Sequence, residues 1–338
     1  MRKSIFFACL FAAGFALAGA RPCSAPGPGQ GYATDAYPGF DTEESIVSPS
    51  KKEPKWFAFI NGPNRENPAD QYAYCLGLLQ DGDASKAAKQ LDALVRGWPQ
   101  SEEAPKAQQL LAETLLGKLA DPIEAFAEYR YLIDFYSLQC DFNALADRLY
   151  ATAGRMLEEG KRFIWFRFDN TVDVRRAFEA CVVRAPGAKW TPKAMLTVAE
   201  LREKEGKPEE AVKVYENLRN LYAGTPEAVD AYYREAKVRV GLLEDHEYNR
   251  SRCQDTINFM KLALRNCEVS RIEEIKGMLE SAEGRIEAEA YAAAKFYDSR
   301  TRTPRSAINA YERFLSDYPA GEHADAVRAR LEELKGAE

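Results

Sequence analysis

The chain has 338 residues, 46% of them apolar and 29% charged, which is enough to bury a sizeable core. Its 46 Lys and Arg against 52 Asp and Glu give a formal charge of -6, which lacks the basic footprint that phosphate binding needs, so nucleic acid is excluded as an expected partner. The two histidines, His246 and His323, lie far apart and neither stands in a metal-ligand spacing, which argues against a zinc site and against histidine catalysis.

At the N-terminus, Arg2 and Lys3 precede an apolar run from Ile5 to Ala20 that ends on the small residues Ala18-Gly19-Ala20. This pattern predicts a secretory signal over residues 1–20, cleaved after Ala20, and so an exported protein. The run is short for a span and ends in Gly and Ala, which disfavours a membrane anchor. No second apolar run of spanning length follows. Cys9 falls inside the signal. Cys23 stands just past the cleavage point, where an acylated cysteine would sit, although Ala20-Arg21-Pro22 before it is not a small, uncharged lipobox. It is the candidate lipidation site. The remaining cysteines show no CxxC and no regular spacing, and most are expected to be small core hydrophobes in a chain that needs no disulfide framework.

Residues 21–67 are rich in Pro, Gly, Ser and Asp and read as a flexible tether. Its one apolar cluster, Trp56-Phe57-Ala58-Phe59-Ile60, is expected to dock on the folded body. From residue 68 to 338 the pattern is helical, rich in Ala, Leu, Glu, Lys and Arg, and it repeats.

Two signatures recur along that stretch. Trp98-Pro99, Ala185-Pro186-Gly187, Tyr222-Ala223-Gly224 and Tyr318-Pro319 each end a helix and are followed by a residue able to cap the next. Inside each hairpin a tight turn, such as Gly82-Asp83, Ala120-Asp121-Pro122, Gly206-Lys207-Pro208 or Arg302-Thr303-Pro304, leads to an alanine. The alanines are Ala87, Ala125, Ala211 and Ala307, and Leu91, Tyr129, Tyr215 and Tyr311 fall one helical turn later on the same face. Ala177 with Cys181 and Thr256 with Met260 repeat the pattern more weakly. The markers are 34 to 52 residues apart, close to the tetratricopeptide period with lengthened helices or loops. The expected fold is all-α, a right-handed tetratricopeptide-like superhelical solenoid of six helical hairpins with a C-terminal capping helix over Glu322–Lys335.

The aromatic segment Arg162-Phe163-Ile164-Trp165-Phe166-Arg167-Phe168 is expected to fill the core under the long third unit, the alternative being a docking patch built from the residue types that dominate binding hot spots. Phosphate loops, nucleophile elbows and kinase signatures are absent from the sequence. Carboxylate pairs such as Glu102-Glu103, Glu209-Glu210 and Glu273-Glu274 read as solvated or first-turn charges. Cys140 and Cys181 have neither a histidine nor a basic neighbourhood in sequence. No catalytic residue, cofactor or metal is therefore expected, and the chain reads as a non-enzyme. In a solenoid the first helix of each hairpin lines the concave surface, which makes Tyr72, Tyr233, Arg234 and Tyr297 the candidate partner-binding residues.

The stretches Gln71-Tyr72-Ala73 to Trp98-Pro99 and Ala294-Lys295-Phe296-Tyr297 to Tyr318-Pro319 resemble the opening and closing repeats of the BamD family of outer-membrane assembly lipoproteins. The resemblance spans about residues 68 to 335. It implies a periplasmic scaffold associated with the outer membrane that binds envelope proteins, with the β-barrel insertase at the C-terminal repeats and incoming clients at the N-terminal ones. This chain departs from the family in lacking a clear lipobox and in having six units where the family carries about five. A regulator of cell-envelope or peptidoglycan synthesis is the alternative, and an enzyme with a site between hairpins is a third reading that the missing motifs oppose.

Overall fold

The computed structural model describes residues 37, 38, 40, 62–162, 171–244, 250–300 and 304–336. The predicted signal over residues 1–20, Cys23, His246, Trp56–Ile60 and the aromatic residues Phe163–Phe168 lie outside them. Among the described residues there are thirteen α-helices and no strand. They are α1 (Pro68–Gln80), α2 (Ala84–Gly97), α3 (Glu103–Gly117), α4 (Pro122–Tyr136), α5 (Phe142–Arg162), α6 (Thr171–Arg184) and α7 (Thr191–Lys204). After these come α8 (Pro208–Leu221), α9 (Pro226–Glu244), α10 (Arg250–Asn266), α11 (Ile272–Arg300), α12 (Pro304–Asp317) and α13 (Ala324–Gly336). None of them is long and apolar enough to cross a membrane.

Every helix packs on the next, and contacts between next-but-one helices concentrate on α1 with α3, α7 with α9, and α9 with α11. These are first helices of neighbouring hairpins. The chain is thus six hairpins, α1/α2 through α11/α12, plus the single helix α13. First helices that touch one another lie on the inner side of the stack, because a curved array brings its inner elements closest together.

Local sequence sets the stops. At Trp98, Ala185, Tyr222 and Tyr318 the backbone is built the same way. Each of these N–H groups bonds back to the fourth residue before it, and each carbonyl accepts from the residue three further on, Ser101, Ala188, Thr225 or Gly321. The intra-hairpin turns at Gly82 and Gly206 use left-handed backbone, φ +87 and +72, and close with Asp83 N–H to Leu78 O and Lys207 N–H to Arg202 O, both 2.9 Å. Asn67 caps α1 through Asp70 N–H at 2.8 Å, and Asp121 caps α4 through Glu124 N–H at 3.0 Å with Pro122 next to it.

All six marker residues, Ala87, Ala125, Ala177, Ala211, Thr256 and Ala307, are buried, as are their partners Leu91, Tyr129, Cys181, Tyr215, Met260 and Tyr311. A small side chain lets the second helix close on the first, and the larger one four residues later fills the space that remains. The longer intervals come from the 21-residue α5, the 19-residue α9 and the 29-residue α11. The apolar interior forms one large cluster running to α9, a second around α9, α10 and the first half of α11, and a small third one under α13.

Buried ions tie the hairpins together. Arg175 on α6 reaches Glu179 and Glu205, both at 2.7 Å, while Arg202 on α7 reaches Glu179 at 3.1 Å and Glu210 at 2.6 Å. Arg184 makes a two-pronged pair with Asp134 on α4, 2.8 Å at each oxygen. The Tyr136 and Tyr222 hydroxyls donate at 2.8 Å to the Pro99 and Pro186 carbonyls, each one hairpin back.

Candidate partner-binding groove

The inner side carries a polar ladder that links successive first helices. Tyr72 on α1 is half-buried, and its phenol is pushed up by burial and then by the charge of Glu113 on α3. Glu113 is paired with Arg148 on α5. The next step, from α5 to α7, is aromatic: Trp190 stacks on Tyr150 at 4.6 Å and its indole N–H donates to Asp147 at 2.7 Å. Arg234 on α9 bridges Glu200 on α7 at 2.7 Å and Asp230 one turn back at 2.5 Å. Tyr233 donates to Glu274 on α11 at 2.7 Å, with the Arg271 guanidinium over its ring at 4.5 Å.

About a third or more of each side chain in the Glu113–Arg148 and Glu200–Arg234–Asp230 groups is exposed. Such pairs contribute roughly 0–1 kcal/mol each, so exchanging them for a partner's charges costs the fold little.

Four of the sequence candidates are described, and they do not form one patch. Tyr72 stands at the first hairpin and Arg234 at the fifth, both on the ladder. Tyr233 is buried at 9% exposure, so its ring serves packing between α9 and α11. Periodicity could not separate it from Arg234, its neighbour. Tyr297 is half exposed and lines a cleft of about 440 Å³ between α11 and α12, closed on one side by Arg250 of α10 and its 3.6 Å pair with Asp317. It therefore lies in a cleft between the two helices of its own hairpin. Cys23 lies outside the described residues.

Sequence reading missed Glu200, Asp230, Glu113 and Arg148. Their only signal was a polar residue on a first helix, which many positions share.

Among the described residues, no group of three or more His, Cys, Asp or Glu is placed to hold a metal. Burial pushes the Cys75 thiol up to about 11, and the fully buried Cys181 thiol is also raised, so neither is a thiolate near neutral pH. His323 lies against the Tyr291 ring at 4.3 Å, and its backbone N–H bonds Glu287 at 2.9 Å, which fixes the start of α13.

No family model and no curated protein matches the chain. Among solved structures, that of Pseudomonas aeruginosa pilF is 14% identical with a TM-score of 0.28, covering 78% of this chain and 97% of its own. The C-terminal part of a TPR repeat-containing protein from Cytophaga hutchinsonii is 12% identical with a TM-score of 0.30, covering 78% and 88%. A tetratricopeptide repeat protein from Parabacteroides merdae is 11% identical with a TM-score of 0.28, covering 79% and 98%. No residue correspondence is taken from these similarities. The tetratricopeptide-like fold rests on the hairpins themselves.

Proposed function

We propose that this chain is a non-enzymatic scaffold that binds extended segments of other proteins along the inner face of its first helices. The observation that carries this reading is the ladder Glu113–Arg148 and Glu200–Arg234–Asp230, weakly paired charges held in fixed positions on a rigid stack. Binding is by shape and charge complementarity on a preformed surface, with no covalent step. In this reading the protein works in the periplasm at the outer membrane, exported by the signal that the sequence predicts over residues 1–20. Its partners there are envelope proteins, the β-barrel insertase and its clients among them, as the resemblance to BamD implies. Contact with the membrane itself runs only through Cys23 or through a partner.

The test is crosslinking in cells from a photoreactive residue at position 72, 234 or 297, with the captured proteins identified by mass spectrometry. Envelope proteins captured from 72, and lost when Arg234→Ala is added to that chain, support the reading. Capture of the same proteins at the same yield by the variants removes the groove assignment, and capture of cell-wall synthetic enzymes in place of insertase components replaces the assembly role with the regulatory one.

A further inference from the structure

A short piece of the N-terminal segment is seated on the repeat body far from where that segment enters it. The Phe40 N–H bonds to the Tyr37 carbonyl at 3.1 Å, closing a four-residue turn whose sequence is Tyr-Pro-Gly-Phe. Pro38 stands second and Gly39 third, the residue types that favour such a turn before any binding takes place. The two aromatic rings stack at 5.2 Å with 18° between their planes, and both side chains are buried against the main core cluster, at 9% and 8% exposure. Asn217 on α8 donates its side-chain N–H to the Pro38 carbonyl at 2.9 Å across 179 residues of sequence. The Tyr37 hydroxyl is hydrogen-bonded to that of Tyr222, which itself donates to the Pro186 carbonyl between α6 and α7.

This is a built site. It has a side-chain amide for the turn's carbonyl, a phenol for its phenol, and apolar surface that removes two aromatic rings from water. Burying two such rings is a large driving force for four residues, and a turn already shaped by Pro and Gly loses little entropy on docking.

We propose that the surface formed by α8 and the α6–α7 stop is a receptor for an aromatic turn of the type Tyr-Pro-x-Phe, occupied by the chain's own Tyr37, Pro38 and Phe40. Occupation in cis follows from proximity. A tethered ligand has an effective concentration of roughly 1 mM, so a turn that binds in trans at about 0.1 mM is held closed about nine-tenths of the time and weakens a competitor about tenfold.

The experiment uses the full chain and a fluorescent peptide of residues 33–42, read by anisotropy. In Tyr37→Ala/Phe40→Ala the receptor is open and the peptide binds saturably, about tenfold more tightly than to the wild type. Adding Asn217→Ala and Tyr222→Phe to that variant lowers the affinity at least fivefold while circular dichroism reports the same helix content. A Tyr37→Ala/Phe40→Ala peptide binds neither chain. The proposal is overturned if the opened chain shows no saturable binding, if wild type and opened chain bind equally, or if the receptor-side changes leave the affinity untouched. None of these outcomes depends on envelope partners, so failure here leaves the groove reading standing.

Discussion

Arg330 of the last helix lays its guanidinium on Asp298 of α11, Nε to Oδ2 at 2.9 Å and Nη2 to Oδ1 at 3.2 Å, and the Tyr311 hydroxyl of α12 joins the same carboxylate at 3.1 Å. Three helices meet at one acid. The arginine holds the Asp298 carboxyl below its ordinary 3.8, with the tyrosine hydrogen bond acting in the same direction against the cost of burial. A carboxyl whose folded value is depressed adds stability that is complete above the ordinary value and lost as pH falls through the folded one. The cap α13 is therefore expected to loosen only below about pH 4. Hydrogen exchange of α13 between pH 2 and 6 should show that step in the wild type, and Asp298→Asn should show faster exchange throughout with no step. A variant with the wild-type acid profile would place the acid-sensitive group elsewhere.

The close approach of the two helices in each hairpin depends on small residues at the marker positions. Ala211 is fully buried beside Tyr215, also fully buried. Ala211→Leu is expected to cost about 1–3 kcal/mol by overpacking, and Tyr215→Ala about 3–5 kcal/mol by leaving a cavity. Urea denaturation measures both. If Ala211→Leu is neutral, the hairpin has room that the packing denies.

Ala120 occupies left-handed backbone at φ +52 in the turn between α3 and α4, where the equivalent turns carry Gly82 and Gly206. A side chain there costs roughly 1–2 kcal/mol, of which the greater freedom of glycine in the unfolded chain takes back about half. Ala120→Gly should therefore stabilise by about 0.5–1 kcal/mol, seen as a higher midpoint with an unchanged slope in urea. A lower midpoint would show that the strain is already relieved by neighbouring atoms.

Glu179 is the shared acceptor of Arg175 and Arg202, and all three side chains are buried. Removing it leaves two guanidinium groups beside Glu205 and Glu210 with one carboxylate fewer, and Glu179→Ala should cost about 3–5 kcal/mol. The control is Glu283→Ala, which breaks a half-exposed 2.8 Å pair with Lys261 and should stay within about 1 kcal/mol. Equal losses from the two would mean that the buried cluster is better hydrated than its burial indicates.

The parts of the fold that sequence revealed are those with local causes. The stops at Trp98, Ala185, Tyr222 and Tyr318 are written in residues adjacent to them, and the marker alanines recur at a spacing that a helix imposes. Length variation was legible as uneven intervals, but its distribution among α5, α9 and α11 was not, because extra helical turns leave no punctuation. The buried ions were invisible for a different reason. Arg175, Glu179, Arg184 and Arg202 look like any other charges of a helical surface, and only the packing of the neighbouring hairpin removes them from water. The Tyr37–Phe40 dock depends on Asn217 and Tyr222, remote residues with no local signature. Of the groove candidates, Arg234 lies on the exposed ion-pair ladder, while Tyr233 beside it is buried.

That last pair separates binding from stability. Arg234→Ala gives up partly exposed pairs with Glu200 and Asp230, so its melting temperature should move little while partner capture falls. Tyr233→Ala removes a buried ring and its hydrogen bond to Glu274, and should cost roughly 3–5 kcal/mol before any partner is added. Tyr72→Ala, half-buried beside Glu113, should weaken a partner at the first hairpin, and Tyr297→Ala one seated in the α11–α12 cleft. Anchors of this kind carry about 2 kcal/mol or more in protein interfaces, which corresponds to roughly thirtyfold in affinity and is well within the range of a titration. Thermal melting beside each binding curve assigns every loss to its cause. If Arg234→Ala, Tyr72→Ala and Tyr297→Ala all keep wild-type affinity and stability, the inner face and the cleft are both bystanders, and the partner must dock on the outer surface of the second helices.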